Sequence, residues 1–151
     1  MRGYKLKIDP LRSRAEGESE YMPATPWTTF YQPDDDREYL ALLTELPLKS
    51  FLDIPGLLRH MLKIRSQLRS TPGVIGYSLF AKLFRKKFWT LSAWEDEAAL
   101  RVFVANAPHL TAMKAMRSRM KKTRFVRWKI RGSEYPLEWR EAFGRSDSDT
   151  S

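Results

Sequence analysis

The sequence predicts an α+β fold with the element order β-α-β-β-α-β. Three observations carry this. Apolar or alternating runs at 39–46, 74–81, 88–94 and 125–131 read as four strands. Between the first two, Leu57, Leu58, Met61, Leu62, Arg65 and Leu68 recur at near-helical spacing. Between the last two, Glu95, Asp96 and Glu97 open a second helical stretch, where three carboxylates complement the helix dipole.

Each element has local support. YLALLTEL, bounded by DDDR and Pro47, has the length and flanks of a buried strand. Ser50 or Asp53 can cap the first helix, Pro55 suits its first turn, and Thr71-Pro72-Gly73 ends it. In the second strand Val74, Gly76, Ser78 and Phe80 should face one way, and Ile75, Tyr77, Leu79 and Ala81 the other. KLFRKK (82–87) is a connection of hairpin length without an Asn-Gly or Asp-Gly pair. In the third strand Phe88, Thr90, Ser92 and Trp94 share a face opposite Trp89, Leu91 and Ala93. Leu100, Phe103 and Val104 form the apolar side of the second helix. Asn106-Ala107-Pro108 breaks it, and Pro108 can start its second part. His109, Met113, Met116 and Met120 then fall on one helical face. In the fourth strand Val126, Trp128 and Ile130 oppose Phe125, Arg127 and Lys129, the pattern of a half-exposed or edge strand.

This order is the ferredoxin-like split βαβ arrangement, with a four-stranded antiparallel sheet and helices on one face. The other face also carries apolar side chains and needs a cover, most commonly a second copy of the chain. The domain spans 34–132. Residues 1–33 form an extension, partly disordered, whose first 21 residues are polar and small and whose Met22 is an alternative translation start. Pro23, Pro26 and Pro33 forbid regular structure there, although Trp27, Phe30 and Tyr31 should lie against the core. Residues 133–144 read as a short helix, with Trp139 and Phe143 as an i,i+4 pair and Gly144 as its stop. Residues 145–151 read as a disordered tail.

Composition narrows the chemistry. The 151 residues include no Cys, which excludes disulfides, thiolate metal sites and a Cys nucleophile. Two His exclude a His-rich structural zinc site, so no metal is expected. No apolar run reaches the roughly 18 residues a bilayer span needs, and MRGYKLKIDPLRSR has no secretory core, so a cytoplasmic location is expected. The net charge is +9, with 19 Lys and Arg against four acids from Lys49 to Arg131. Such a balance suits either a solvated face or an anionic partner. No GxGxxG, GxxxxGK[ST], GxSxG or HExxH pattern occurs, which leaves nucleotide-cradling and standard hydrolase readings unsupported.

The run TPGVIGYSL…RKKFWTLSAWEDEAALRVFVANAPHLTAMKAMR…TRFVRWKIRG resembles the antibiotic biosynthesis monooxygenase-like superfamily, the dimeric α+β barrels. Within it the run is most similar to a spheroidene-monooxygenase-like branch. The likeness rests on Pro72-Gly73, the strand FWTLSAW, the acids after Trp94 and the Pro108-His109 pair, and covers about residues 26–143. It implies a homodimer whose two sheets form a barrel. It also implies a small apolar or aromatic substrate between sheet and helices, and oxygenation with haem or with no cofactor. His109 resembles the iron-ligating His of haem-binding relatives, with Met113 and Met116 lining an apolar pocket. Trp94 resembles a cavity-lining Trp, and Tyr77 and Ser92 offer hydroxyls to a substrate. His109 and Trp94 also read as packing residues. YLALLTEL lacks the Asn that haem-degrading relatives carry near the first strand.

Three functions stay open at this point. One is a monooxygenase-like oxidoreductase using His109, Trp94, Tyr77 and Ser92. Another is a non-catalytic dimeric module for a small ligand. The third binds nucleic acid or an anionic membrane through eight basic residues from Arg117 to Arg131, interleaved with Phe125 and Trp128.

Overall fold

The computed structural model describes residues 24–149. The polar extension 1–21, the alternative start at Met22 and Pro23 lie outside the described residues. A five-stranded antiparallel sheet has the order β1-β3-β4-β2-β5: Thr28–Thr29 (β1), Val74–Lys82 (β3), Lys87–Trp94 (β4), Glu38–Pro47 (β2) and Arg124–Arg131 (β5). Helix α1 is Ile54–Arg69, α2 is Glu97–Ala105, α3 is His109–Met116 and α4 is Trp139–Asp149.

The expected ferredoxin-like order is present, with the second helix broken as expected. The expectation of four strands is corrected to five. β1 sits between Pro26 and Pro33, in the stretch expected to lack regular structure. Its two residues pair with Tyr77 and Gly76 through backbone bonds, which carry no side-chain period. Thr25 and Phe30 extend this pairing, donating from their backbone N–H groups to Leu79 O (2.8 Å) and Ile75 O (2.7 Å).

β2 and β4 form the middle of the sheet and are buried on both faces. Tyr39, Ala41, Leu43, Trp89, Leu91 and Ala93 point to one side; Leu40, Leu42 and Trp94 point to the other. β3 departs from simple alternation. A bulge between Val74 and Gly76 inserts Ile75, so Val74 lies with Tyr77 on the helix side and Ile75 joins the opposite core.

Helices α1, α2 and α3 cover the face of Leu40, Leu42 and Trp94, here the first face. Ser50 caps the 3-10 turn Phe51–Asp53 that leads into α1, accepting from Leu52 N at 3.1 Å. Asp53 makes no side-chain cap; its buried carboxylate instead pairs with Arg119 at 2.8 Å. Asp96 caps α2, accepting from Ala99 N at 2.9 Å.

The chain itself supplies a cover for the second face, that of Tyr39, Leu43 and Val126. Leu137 and Ala142 are buried against Tyr39, Leu43 and Val126, and Trp27, Tyr135, Trp139 and Phe143 pack around them. Phe80 is the centre of an aromatic group, 5.4 Å from Trp139, 5.5 Å from Phe143 and 5.7 Å from Trp89 between ring centroids. α4 runs through Gly144 to Asp149, not ending at the glycine as expected, and residues 145–149 are helical, not a tail. Tertiary contacts override the stop signal: Arg124 donates to Ser146 Oγ and O at 3.0 Å each, and Arg145 lies 5.1 Å over the Trp128 ring.

Gly76 is shaped for this cover. A Cβ there would overlap Tyr135 Oη and the Thr28 carbonyl oxygen. Tyr135 Oη in turn bonds Thr29 Oγ1 at 2.8 Å, tying β1 to the C-terminal segment. Gly76→Ala should destabilise the fold by about 3 kcal/mol, and Tyr135→Ala in that background should recover part of the loss. Urea denaturation of the four corners of this cycle measures the coupling.

Candidate functional site

The helix side of the sheet holds a small polar group inside an apolar wall. The bulge in β3 leaves Tyr77 directly opposite Ser92 of β4. Both are buried, and both lie on the face where Leu40, Leu42, Leu68, Leu100 and Phe103 pack. Trp94, only 1% exposed, donates from Nε1 to Ser92 Oγ at 2.8 Å. Arg65 reaches in from α1, and its Nε donates to Tyr77 Oη at 2.9 Å. Tyr77 and Ser92 each accept in these bonds, so each keeps its hydroxyl proton for another acceptor. Phe30 stacks on Tyr77 at 6.2 Å and completes the wall toward β1.

Three expected site residues therefore come together: Tyr77, Ser92 and Trp94. Arg65 is the addition. Its place in the apolar stripe of α1 was its signal, because a cation at a core-facing spacing usually reaches a polar partner.

His109 lies beside this group, one aromatic ring away. Its ring packs on Phe103 at 4.8 Å, and Phe103 packs on Trp94 at 5.1 Å. Nδ1 lies 3.3 Å from Val104 O, and the backbone N–H donates to Gln67 Oε1 at 2.9 Å. Gln67 also donates from Nε2 to Phe103 O (3.1 Å) and Asn106 O (3.3 Å). One amide thus clamps the end of α2 and the start of α3. Burial holds the His109 imidazole below its ordinary pKa, opposed by the Val104 carbonyl.

The two methionines do not join His109 around one space, which corrects the expected pocket. The buried stripe of α3 is centred on Ala112 and Met116. Met116 packs with Leu48, Leu57, Ala81 and Phe88, whereas Met113 is turned outward and 40% exposed. An apolar slot with His109 at one wall is what a haem would need. These residues do not provide it, so they do not fit the group. No cluster of His and acids suited to a metal occurs among the described residues.

The basic stretch from Arg117 to Arg131 is largely used inside the fold. Arg119 pairs with Asp53, Arg124 with Glu45, Arg127 with Glu97 and Lys129 with Glu38. Arg131 donates to Asp36 O at 2.7 Å. Trp128 belongs to the second-face core while Phe125 is exposed on the opposite side of β5. They cannot form one stacking platform. No helix among the described residues is long and apolar enough to cross a membrane.

Fold and site together define a ferredoxin-like α+β domain with a polar and aromatic group enclosed between sheet and helices. Residues 28–115 match the family described as antibiotic biosynthesis monooxygenase, and the chain belongs to that family. The match does not distinguish a spheroidene-monooxygenase-like branch, and it ends before β5 and α4. No curated protein matches the chain in sequence.

Solved structures with a similar fold include an antibiotic biosynthesis monooxygenase at 19% identity and TM-score 0.54, covering 59% of this chain and 95% of that one. SnoaB, a cofactor-independent oxygenase from Streptomyces nogalater, is similar at 12% identity and TM-score 0.50, covering 63% and 95%. A protein from Lactobacillus acidophilus NCFM, provisionally described as a monooxygenase, is similar at 13% identity and TM-score 0.56. The match covers 74% of this chain and 53% of the Lactobacillus protein, so the chain spans about half of its length. At these identities the likeness is one of fold.

Two outcomes follow from the placement of His109. A depressed His pKa means the unfolded chain binds more protons than the folded one near that pH. The stability owed to a neutral His109 is fully present above its ordinary value of 6.5 and is lost as pH falls toward the lower folded value. Thermal melts between pH 8 and pH 5 should show His109→Gln flattening this decline relative to the native chain. Purified protein mixed with haemin should show no Soret band that His109→Ala shifts.

Proposed function

We propose that the chain is a monooxygenase-like oxidoreductase that oxygenates a small aromatic or apolar molecule on the helix side of the sheet. The observation that carries this is the pair of buried hydroxyl-bearing residues Tyr77 and Ser92, opposite each other in the register of β3 and β4, each accepting a hydrogen bond and keeping a proton to donate. Two donors in an apolar wall suit an oxygen-bearing ring, whose phenolate or enolate oxygen would accept from both. Trp94 and Phe103 supply flat apolar contact. Arg65 is exposed above the buried Tyr77 and marks the way in. His109 serves in this reading to fix the α2–α3 junction through Phe103 and Gln67.

Cofactor-free oxygenation balances with such a substrate. An activated CH2 carbon and O2 give a carbonyl and water: one oxygen atom enters the product, the other leaves as water, and the substrate supplies the electrons. The protein's part is to hold the substrate anion and accompany its charge. Family membership and the fold of the Streptomyces oxygenase support this class of reaction.

A non-catalytic small-ligand module is the second reading. It is favoured by the depth of Ser92 and Trp94 and by their mutual hydrogen bond. A homodimer of the barrel kind would require its second sheet where α4 and Leu137 already lie, so any second copy would have to use another surface.

An oxygen electrode with a panel of hydroxylated tricyclic aromatics bearing a CH2 carbon, followed by 18O2 labelling of the product, tests the assignment. Native protein should consume O2 and place one labelled atom in the product. Tyr77→Phe should lower kcat/KM by about 10²-fold with an unchanged melting temperature. Ligand binding without oxygen uptake across the panel would favour the module.

A further inference from the structure

We infer that the outward side of α1 and the turn before it dock the protein on an anionic lipid surface. The inner side of α1 is committed to the core through Leu57, Ile64 and Leu68. Beside it, Leu58 and Leu62 stand one turn apart and point to solvent, Leu62 being 62% exposed. Phe51 and Leu52 project from the preceding 3-10 turn, and Leu52 is 88% exposed. Single exposed leucines are ordinary on a protein surface. Four large apolar side chains project from one turn and the helix it opens, each at least 44% exposed.

The charges around them are of one sign. Lys49, Arg59, Lys63 and Arg69 are all exposed, and Lys86 lies over the Phe51 ring at 4.6 Å. Asp53 is the one acid from Lys49 to Arg69, and it is buried against Arg119. Apolar side chains that project beside basic ones, with no exposed carboxylate from Lys49 to Arg69, match the two components of a bilayer interface. The side chains enter the headgroup–acyl boundary, and the cations meet the anionic headgroups. The projections stand out from a helix and a turn and do not line a groove, so a fluid surface accommodates them without a shape-matched partner. Nucleic acid would engage the cations and leave the leucines in water. The docking side meets the stretch Arg117–Arg131 only at its start, where Arg119 pairs with Asp53 and the backbone of Lys49 donates to Arg119 O; the later charges of that stretch are mostly spent inside the fold.

Co-sedimentation of the full chain with vesicles tests this, using phosphatidylcholine alone and phosphatidylcholine with about one-third phosphatidylserine. The native chain should sediment with the phosphatidylserine vesicles, less as salt rises, and stay in solution with phosphatidylcholine alone. Leu58→Ser with Leu62→Ser should weaken the binding about tenfold or more, and Arg59→Glu with Lys63→Glu should do the same. All four positions are exposed, so melting temperatures should hold. Lys129→Glu, at the opposite end of β2 beside Glu38, should leave binding unchanged. A native chain that ignores phosphatidylserine vesicles overturns the inference, as does a Leu58/Leu62 variant that binds like the native chain. Self-association in sedimentation equilibrium that the two serine substitutions abolish would also overturn it, because the face would then belong to a second copy.

Discussion

The strands β2 and β4 carry large apolar side chains on both faces, and neither face can be left in water. Leu40 and Leu42 alternate with Tyr39, Ala41 and Leu43, and Trp94 with Leu91 and Ala93, so each face of the central pair demands a cover. Fully burying a side chain of this size is worth about 1.5–3 kcal/mol, and the central pair alone holds a large share of what a marginally stable domain needs. The remaining elements can be understood as covers. α1, α2 and α3 close one face; Trp27, Leu137 and α4 close the other. The two closures differ in chemistry. On the second face the Ser78 hydroxyl is fully used, donating to Thr25 O at 2.7 Å and accepting from Trp139 Nε1 at 3.0 Å. On the helix face Tyr77 and Ser92 only accept. Hydroxyls that accept without donating set the helix-face wall apart from the second-face wall.

The parts of this fold that follow a regular period were legible in the sequence. Alternation in β4 and β5 assigns the faces as they stand, and Asn106-Ala107-Pro108 breaks the second helix where expected. The parts that depend on partners distant in the chain were not. β1 is two residues held by backbone bonds to β3, and no side-chain pattern announces it. The inserted Ile75 lies in a run of uniformly β-forming residues, so nothing local distinguishes a bulge from an unbroken strand. Gly144 carries a valid stop signal, but Arg124 holding Ser146 from across the sheet edge carries the helix past it.

The site divides the same way. Tyr77, Ser92 and Trp94 were legible because residue type and strand parity suffice to place a hydroxyl or an indole on a face. Met113 was misplaced because i,i+4 spacing from His109 defines a line along α3 but not which side of that line is buried. Ala112 and Met116 take the core, and Met113 rotates to the rim. Gln67 could not have been found at all. Its position on α1 is unremarkable, and its role exists only because the α2–α3 break, some 40 residues on, lies within reach of its amide.

The self-covered second face also constrains assembly. For two sheets to pack together, α4 would have to leave, exposing Leu137, Ala142, Trp139 and Phe143. At about 1.5–3 kcal/mol for each large side chain, that cost is comparable to the entire stability of an ordinary domain. A second copy would have to return that energy from solution at micromolar concentration, against a tethered segment whose effective concentration is in the millimolar range or above. The comparison favours the tethered segment by both terms. Gly76 adds a steric argument, since the absence of a side chain there is complementary to Tyr135 of the same chain. The same sheet that asks for a cover in the general case has thus been given one by the sequence that follows β5.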